Sequence, residues 1–135
     1  MKQMKPALFL LLATAVAFTF SSCTQSPQNK NIVNVNAEQA TQILMKEDVV
    51  VIDIRTPQEY NQQHVEDALS INFYDSNFRD QLSQLDRTKT YMVYCHSGGR
   101  SSKAIKIMTE LGFIKVYHLY NGARGGLPTR LRKAS

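Results

Sequence analysis

Three short apolar runs, separated by segments with helical spacing, constrain the fold most strongly. Residues 49–52, 91–94 and 115–119 are rich in β-branched and aromatic side chains, and the first run is apolar throughout. Such a run is typical of a strand that is buried on both faces of a parallel sheet. Because helices connect parallel strands, we expect a single α/β domain with a mainly parallel sheet flanked by helices.

Capping residues indicate where two of these helices begin. Asn36, followed three residues later by Gln39, predicts a capping-box start for the first helix. Thr56, Pro57 and Glu59 place an N-cap, a first-turn proline and a capping carboxylate in the order that a second helix requires. Further along the chain we expect an extended segment at 68–72 and a helix around 78–85. We expect another helix over Ser101–Leu111, which ends at Gly112, and then a flexible glycine turn at 121–126.

Residues 1–22 have the layout of a secretory signal peptide. Lys2 and Lys5 precede an apolar run over 7–20, which the small residues Ser21 and Ser22 follow. The run is shorter than the roughly 20 apolar residues that span a membrane comfortably. Removing residues 1–22 takes away two lysines and no acid, which lowers the net charge from +5 to +3. This charge is too small to indicate a nucleic-acid-binding protein, and no basic stripe with interleaved aromatic residues occurs.

The end of the apolar run, Phe20-Ser21-Ser22-Cys23, resembles the lipobox of bacterial lipoproteins. The resemblance implies cleavage before Cys23, lipid on that cysteine, and a periplasmic-side or surface lipoprotein of the cell envelope that is anchored to a bacterial membrane. Residues 23–31 would then be the lipidated cysteine and a flexible tether, and 32–135 a single domain. The alternative is plain secretion, with Cys23 playing no part.

Cys95 is the only other cysteine, so lipid on Cys23 leaves it without a disulfide partner. An unpaired thiol in an oxidising compartment is open to oxidation, so we expect it either to be buried or to have a chemical function. Cys95 begins the loop Cys95-His96-Ser97-Gly98-Gly99-Arg100, directly after the second apolar run.

This loop lies where ligands bind in open α/β sheets, at the carboxyl end of a strand. Gly98 and Gly99 allow the backbone to curl, so that successive N–H groups point inward at the start of the following helix. These groups, the helix dipole and Arg100 all favour a thiolate. We therefore expect Cys95 to be the nucleophile and Arg100 to position the loop and balance its charge.

The chain resembles the rhodanese family over most of 49–126. Cys95, Gly98 and Arg100 match the family's active-loop pattern. The other matching segments are Ile52-Asp53-Ile54-Arg55, Glu59-Tyr60, His64-Val65, Ala68, Ile71-Asn72, Leu111-Gly112-Phe113 and Val116-Tyr117-His118-Leu119. The sequence departs from the family's pattern at four places. These are Gln63, Glu66-Asp67 before Ala68, an inserted C-terminal glycine turn, and the absence of tryptophan.

The resemblance implies a sulfurtransferase that acts without a cofactor. Cys95 would take sulfane sulfur from a small donor anion such as thiosulfate or polysulfide, hold it as a persulfide, and pass it to a thiol or cyanide-like acceptor. Tyrosine-phosphatase-like loops place one residue more between cysteine and arginine than the four found here, so phosphatase activity is less well supported. The sequence is also compatible with a non-catalytic rhodanese-fold binding module and with a redox-sensing thiol protein. It identifies no protein partner.

The remaining polar residues have structural interpretations. We expect Asp53, Arg55 and Glu59 to form an ion-pair network between a strand end and a helix start, with Arg55 also lining the pocket. His96 is expected to point outward. His64 is expected to make a structural hydrogen bond, and His118 ends a strand with no visible partner. No metal-ligand spacing connects these histidines, so no metal site is predicted.

Overall fold

The three apolar runs form the centre of a parallel sheet. The computed structural model describes residues 31–129. Within that range the strands are β1 (Ile32–Val35), β2 (Val50–Asp53), β3 (Leu69–Ser70), β4 (Thr90–Tyr94) and β5 (Lys115–Leu119). They lie in the order β1-β5-β4-β2-β3, and every neighbouring pair is parallel. The predicted α/β class is therefore confirmed.

Helices connect the strands as the spacing predicted. They are α1 (Ala37–Lys46), α2 (Pro57–Gln62), α3 (Phe78–Ser83) and α4 (Gly99–Glu110), followed by a 3₁₀ turn at Ala123–Gly125. Both predicted capping boxes are present, one on Asn36 and one on Thr56. Gly112 follows α4 with a φ of 86°, in the left-handed region that favours glycine after a helix.

The sheet separates two hydrophobic cores, because successive side chains of a strand point to opposite faces. Ile52 and Val93 belong to the core that includes side chains of α3 and α4. Val51 and Met92 belong to the core that includes side chains of α1. All four are completely buried, and each such side chain stabilises the fold by roughly 1.5–3 kcal/mol.

The strand order creates a crevice between the carboxyl ends of β2 and β4. The chain leaves β2 for β3 on one side and leaves β4 for β5 on the other, although β2 and β4 are neighbours. Such a switch of direction is where open α/β sheets bind ligands. The loop that begins at Cys95 leaves β4 at this point.

The structure corrects three details of the sequence-based picture. The edge strand β1 was not predicted, because only Val35 of its four side chains is buried and the segment lacks a clear apolar pattern. Helix α4 begins at Gly99, two residues before the expected Ser101, because the loop glycine Gly98 already serves as the N-cap. The glycine segment predicted as a flexible turn contains the ordered 3₁₀ turn.

Several predictions fall outside the described residues. They concern the signal peptide, lipidation of Cys23 and the tether up to residue 30. Among residues 31–129, no helix combines the length and the apolar character that crossing a membrane requires.

Candidate active site

Cys95 lies at the end of β4 with its thiol enclosed by the loop that follows. The residue is only 1% exposed. Its Sγ accepts the backbone N–H groups of Gly98 at 3.1 Å and of Ser101 at 3.4 Å, and the Ser101 hydroxyl lies 3.4 Å away. Donors at a helix start therefore converge on one sulfur atom, as expected for an anion-binding loop.

Gly98 makes this convergence possible. Its φ of 95° lies in the left-handed region, which turns the chain from the strand into α4. A Cβ added here would collide with the backbone carbonyl of Tyr120. A glycine is thus required at this position by both conformation and space.

The surroundings of Cys95 lower the pKa of its thiol. Burial acts in the opposite direction and is the largest single influence. The Ser101 hydroxyl and the backbone N–H groups of Ser101, Gly98 and Ser97 together outweigh it. The predicted preference for a thiolate therefore has a physical basis in this loop.

A C-terminal turn holds the outer side of the loop. Ala123 donates its N–H to the carbonyl of Cys95, and Arg124 donates to that of His96, both at 2.8 Å. Gly122 packs so closely that a Cβ there would lie 2.5 Å from each of these two carbonyl oxygens. Because the carbonyls bond outward, the loop is free to present N–H groups inward.

Arg100 is held by a carboxylate from the neighbouring turn. Its guanidinium makes two hydrogen bonds to Glu59, at 2.8 and 2.9 Å, and lies 5.5 Å from the centre of the exposed Tyr74 ring. Hydrogen bonds from Arg100, together with those from the backbone and hydroxyl of Thr56, lower the pKa of Glu59 to about 2. Glu59 therefore neutralises the loop arginine instead of joining Asp53 and Arg55, which corrects the single network expected from sequence.

Asp53 and Arg55 form a separate buried ion pair with a shortest N–O distance of 2.6 Å. Arg55 also donates to the carbonyl of Gln63, and the Tyr94 hydroxyl donates to Asp53, both at 2.6 Å. Bonds of this kind satisfy charges that would otherwise be costly to bury. They tie Arg55 to the end of β2 through Asp53 and to the C-terminal end of α2 through Gln63, which is a supporting position. The expectation that Arg55 also lines the pocket stays a prediction.

Sequence reasoning did not predict that Ser101, which lies beside the thiol, contacts His118. Ser101 is fully buried, and its hydroxyl lies 2.8 Å from Nε2 of His118, which is 4% exposed. Nδ1 of His118 lies 3.0 Å from the side-chain oxygen of Asn34 on β1. Burial lowers the pKa of His118. No local spacing could show these contacts, since the three residues come from α4, β5 and β1.

The other histidines lie away from the thiol's hydrogen-bond partners. His64 stacks on Tyr60 and makes a 2.8 Å bond to its carbonyl, which is the structural role expected. His96 is exposed, as expected for a side chain that points away from the ring of N–H groups. Among residues 31–129, no three histidine, cysteine or acidic side chains cluster as metal ligands would.

Comparisons with known proteins agree with this geometry. Residues 36–126 match the rhodanese-like domain family. A sulfurtransferase of Allochromatium vinosum is 36% identical over 86 residues, which cover 61% of this chain and 78% of that protein. The thiosulfate sulfurtransferase PspE of Escherichia coli is 35% identical over 65 residues, which cover 48% of this chain and 62% of that protein.

Solved structures support the same assignment. A rhodanese-related protein from Thermoplasma volcanium superposes with a TM-score of 0.61 at 26% identity, covering 71% of this chain and 95% of that one. A rhodanese-like domain protein from Staphylococcus aureus has a TM-score of 0.63 at 20% identity, over 76% and 99% of the two chains, and shows the shared fold. The family match spans well over half of the sequence and includes the whole Cys95 loop, so the chain belongs to the rhodanese-like domain family.

Proposed function

We propose that this protein is a sulfurtransferase that carries sulfane sulfur as a persulfide on Cys95. The observation that carries the proposal is the convergence of backbone N–H groups on Cys95 Sγ, at 3.1 Å from Gly98 and 3.4 Å from Ser101. These donors stabilise negative charge on sulfur without a metal or a second nucleophile. The names of the relatives favour sulfur transfer over a non-catalytic binding module or a redox sensor.

In the first step, the Cys95 thiolate attacks the terminal sulfur of a donor such as thiosulfate. A new S–S bond forms, the donor's S–S bond breaks, and sulfite leaves with the electron pair. The product is a cysteine persulfide whose negative charge is on the outer sulfur. The near-complete burial of Cys95 favours donors that present a small, terminal sulfur atom, as thiosulfate and polysulfides do.

In the second step, a thiolate or cyanide attacks the outer sulfur of the persulfide. The S–S bond breaks, the acceptor keeps the transferred sulfur, and Cys95 leaves as the thiolate that began the cycle. The same N–H groups serve both steps, since the loop binds an anionic sulfur at the start and at the end. Both steps exchange one bond to sulfur for another, so they need no external oxidant or reductant.

The size of the loop favours sulfur over phosphate. Four residues separate Cys95 from Arg100. A tetrahedral phosphate would need a wider ring of N–H donors than a loop of this length provides. A single sulfur atom does not.

Intact-mass spectrometry of the purified protein, before and after incubation with thiosulfate or polysulfide, tests the proposal. We expect a gain of one sulfur atom that cyanide removes. The matched control is Cys95→Ala, which retains Cys23 and should gain no cyanide-labile sulfur. If neither donor adds sulfur, or if the variant gains as much as the parent, the proposal is wrong. An adduct formed only with peroxide would indicate a redox-sensing thiol.

We also propose that lipid on Cys23 anchors the protein to a bacterial membrane, with the domain outside the cytoplasm. The support is the charged start, the apolar run and the lipobox-like Phe20-Ser21-Ser22-Cys23. Cys23→Ala should release the protein from the membrane fraction and leave its sulfur transfer in detergent unchanged. A variant that stays with the membranes would contradict the anchor.

A further inference from the structure

The chain enters the domain at the end of the sheet opposite to the Cys95 loop. Every neighbouring strand pair is parallel, so the strands run in one direction through the sheet. Asn31 directly precedes β1, and its carbonyl accepts the N–H of Val116 at 2.8 Å. The point of entry is therefore fixed to the starts of the strands, whereas Cys95 follows the end of β4.

The pairing registers give the separation of these two places. Ile32 pairs with Val116, and Val116 pairs with Tyr91, so the start of β1 is level with Tyr91. Cys95 comes four residues after Tyr91. At about 3.3 Å per residue, the reactive cysteine lies about 13 Å farther along the strand direction than the point of entry.

The proposed lipid anchor is close to the point of entry along the chain. Eight peptide units join Cys23 to Asn31. A chain of this length spans at most roughly 25–30 Å, which is about the diameter of a domain of this size. Lipid on Cys23 would therefore hold the entry point near the membrane, and Cys95 could reach the same surface only if these units ran past the side of the domain.

Ile114 is an exposed apolar side chain at the same end of the sheet. It directly precedes β5, two residues before Val116, and is 52% exposed. Its N–H donates to the carbonyl of Arg87 at 3.2 Å, so the segment that contains Arg87 and Lys89 packs beside it. Both basic side chains are exposed, and neither forms an ion pair with another residue of 31–129. An apolar side chain with basic neighbours suits the headgroup region of an anionic bilayer.

The net charge at this end of the sheet is weakly positive. The segments 46–49, 86–89 and 112–115, which lead into β2, β4 and β5, hold four basic and three acidic residues and therefore sum to +1. One of the acids, Glu47, is paired with Lys115 at 3.0 Å. Removing the charges of Arg87 and Lys89 would change the sum to −1, so these two residues determine its sign.

We propose that the end of the domain with Ile114, Arg87 and Lys89 lies against an anionic bilayer, and that the Cys95 loop faces the aqueous phase. The proposal depends on the proposed lipid anchor and adds the orientation of the domain to it. In this orientation the sulfur donor and the sulfur acceptor are water-soluble molecules and not molecules embedded in the lipid.

Fluorescence quenching tests the orientation in the full lipid-anchored chain. The vesicles contain phosphatidylethanolamine and phosphatidylglycerol, with a nitroxide quencher on the headgroup of some lipids. A bimane label is placed on Thr88→Cys or on His96→Cys, both of which are exposed positions. Each variant also carries Cys95→Ala, and lipid occupies the thiol of Cys23, so no other thiol takes the label. We expect the label at position 88 to lose most of its fluorescence and the label at position 96 to keep most of it.

Sedimentation of the same vesicles separates the orientation from the anchor. If the protein does not sediment with the vesicles, the anchor is wrong and the orientation fails with it. If the protein sediments but the two labels are quenched equally, or the label at 96 is quenched more, the anchor stands and the orientation is overturned. Neither measurement needs sulfur transfer, so a failure of the sulfurtransferase proposal would leave both results valid.

The double variant Arg87→Gln/Lys89→Gln tests the contact with the lipid. Each basic side chain near an anionic surface favours contact about fivefold, so we expect quenching at 88 to fall and quenching at 96 to rise toward it. The matched control, Lys103→Gln/Arg124→Gln, removes two exposed basic side chains near the Cys95 loop and should keep the original difference between the labels. If the two double variants behave alike, the contact of Arg87 and Lys89 with the bilayer is wrong.

Discussion

The turns that follow β2 and β4 lie side by side at the same edge of the sheet, and each one starts a helix. In the β2–α2 turn, the chain's own side chains satisfy the helix start: Thr56 accepts the N–H of Glu59, and Glu59 accepts the N–H of Thr56. In the β4–α4 turn the N-cap is Gly98, which has no side chain, and the free N–H groups point at Cys95 Sγ. One turn is closed by capping side chains, and the other directs its N–H donors at the sulfur of Cys95.

The difference shows that the start of a helix after a parallel strand can either be capped, which stabilises the fold, or leave its N–H groups to bind an anion. The first N–H groups of a helix always need partners, and capping side chains normally supply them. Where a glycine replaces the cap, an anion can take that place. The two turns are nevertheless linked, because Glu59 of the capped turn neutralises Arg100 of the open one.

Closing the open turn with a methyl group should have the largest effect. In Gly98→Ala, the added Cβ meets the Tyr120 carbonyl and the backbone keeps a φ that alanine disfavours. We expect the free energy of unfolding to fall by more than about 2 kcal/mol, and sulfur transfer in the folded fraction to fall about a hundredfold as the donors move. Urea unfolding and turnover with thiosulfate and cyanide measure the two effects.

Gly99→Ala is the matched control for this prediction. Position 99 has an ordinary φ, and nothing lies within 4 Å of the added Cβ. We expect unchanged transfer and a stability equal to or slightly above the parent's. Equal damage from both substitutions would show that the loop does not depend on the geometry of Gly98.

Removing the charge that links the two turns should have a smaller effect. Glu59→Gln keeps the capping geometry, since glutamine also serves in a capping box, but it breaks the ion pair with Arg100. We expect a loss of about 1–2 kcal/mol at neutral pH, because the pair is partly exposed and each bond involves a charged group. Urea denaturation at a series of pH values measures this loss.

The same series of pH values isolates the contribution of the Glu59 carboxylate to the free energy of unfolding. The pKa of Glu59 is about 2 in the folded chain against an ordinary value of 4.5, so its stabilisation is complete above 4.5 and is lost as the pH falls toward 2. The parent and Glu59→Gln should therefore differ most at neutral pH and converge in acid. A difference that stays constant across this range would contradict the ion pair.

Weakening the capped turn should have the smallest effect. Thr56→Ala removes the side-chain acceptor for the Glu59 N–H and should cost about 1 kcal/mol in urea unfolding. Sulfur transfer should change little, because the donors to Cys95 come from the other turn. Thr56→Ser retains the hydroxyl and should match the parent. A large loss of transfer in Thr56→Ala would show that the two turns are more tightly coupled than their contacts indicate.

Sequence reasoning succeeded where the information is local. The strand runs, the capping boxes and the Cys95 loop each depend on residues within a few positions of one another, and the α/β class followed from their alternation. It failed for contacts that depend on strand order. Glu59 and Arg100 are 41 positions apart, and Asn34 and His118 are 84 apart. Only the order β1-β5-β4-β2-β3 brings such pairs together.

The turn that packs on the outside of the Cys95 loop also determines when the site can exist. Ala123 and Arg124 supply the bonds that hold the carbonyls of Cys95 and His96, although both belong to the last part of the domain. A chain that lengthens from its N-terminus therefore contains Cys95 before it contains this turn. We expect the loop around the thiol to become fully ordered only after residue 124 has joined the folded structure, so the lowered pKa of Cys95 should be a property of the completed domain alone.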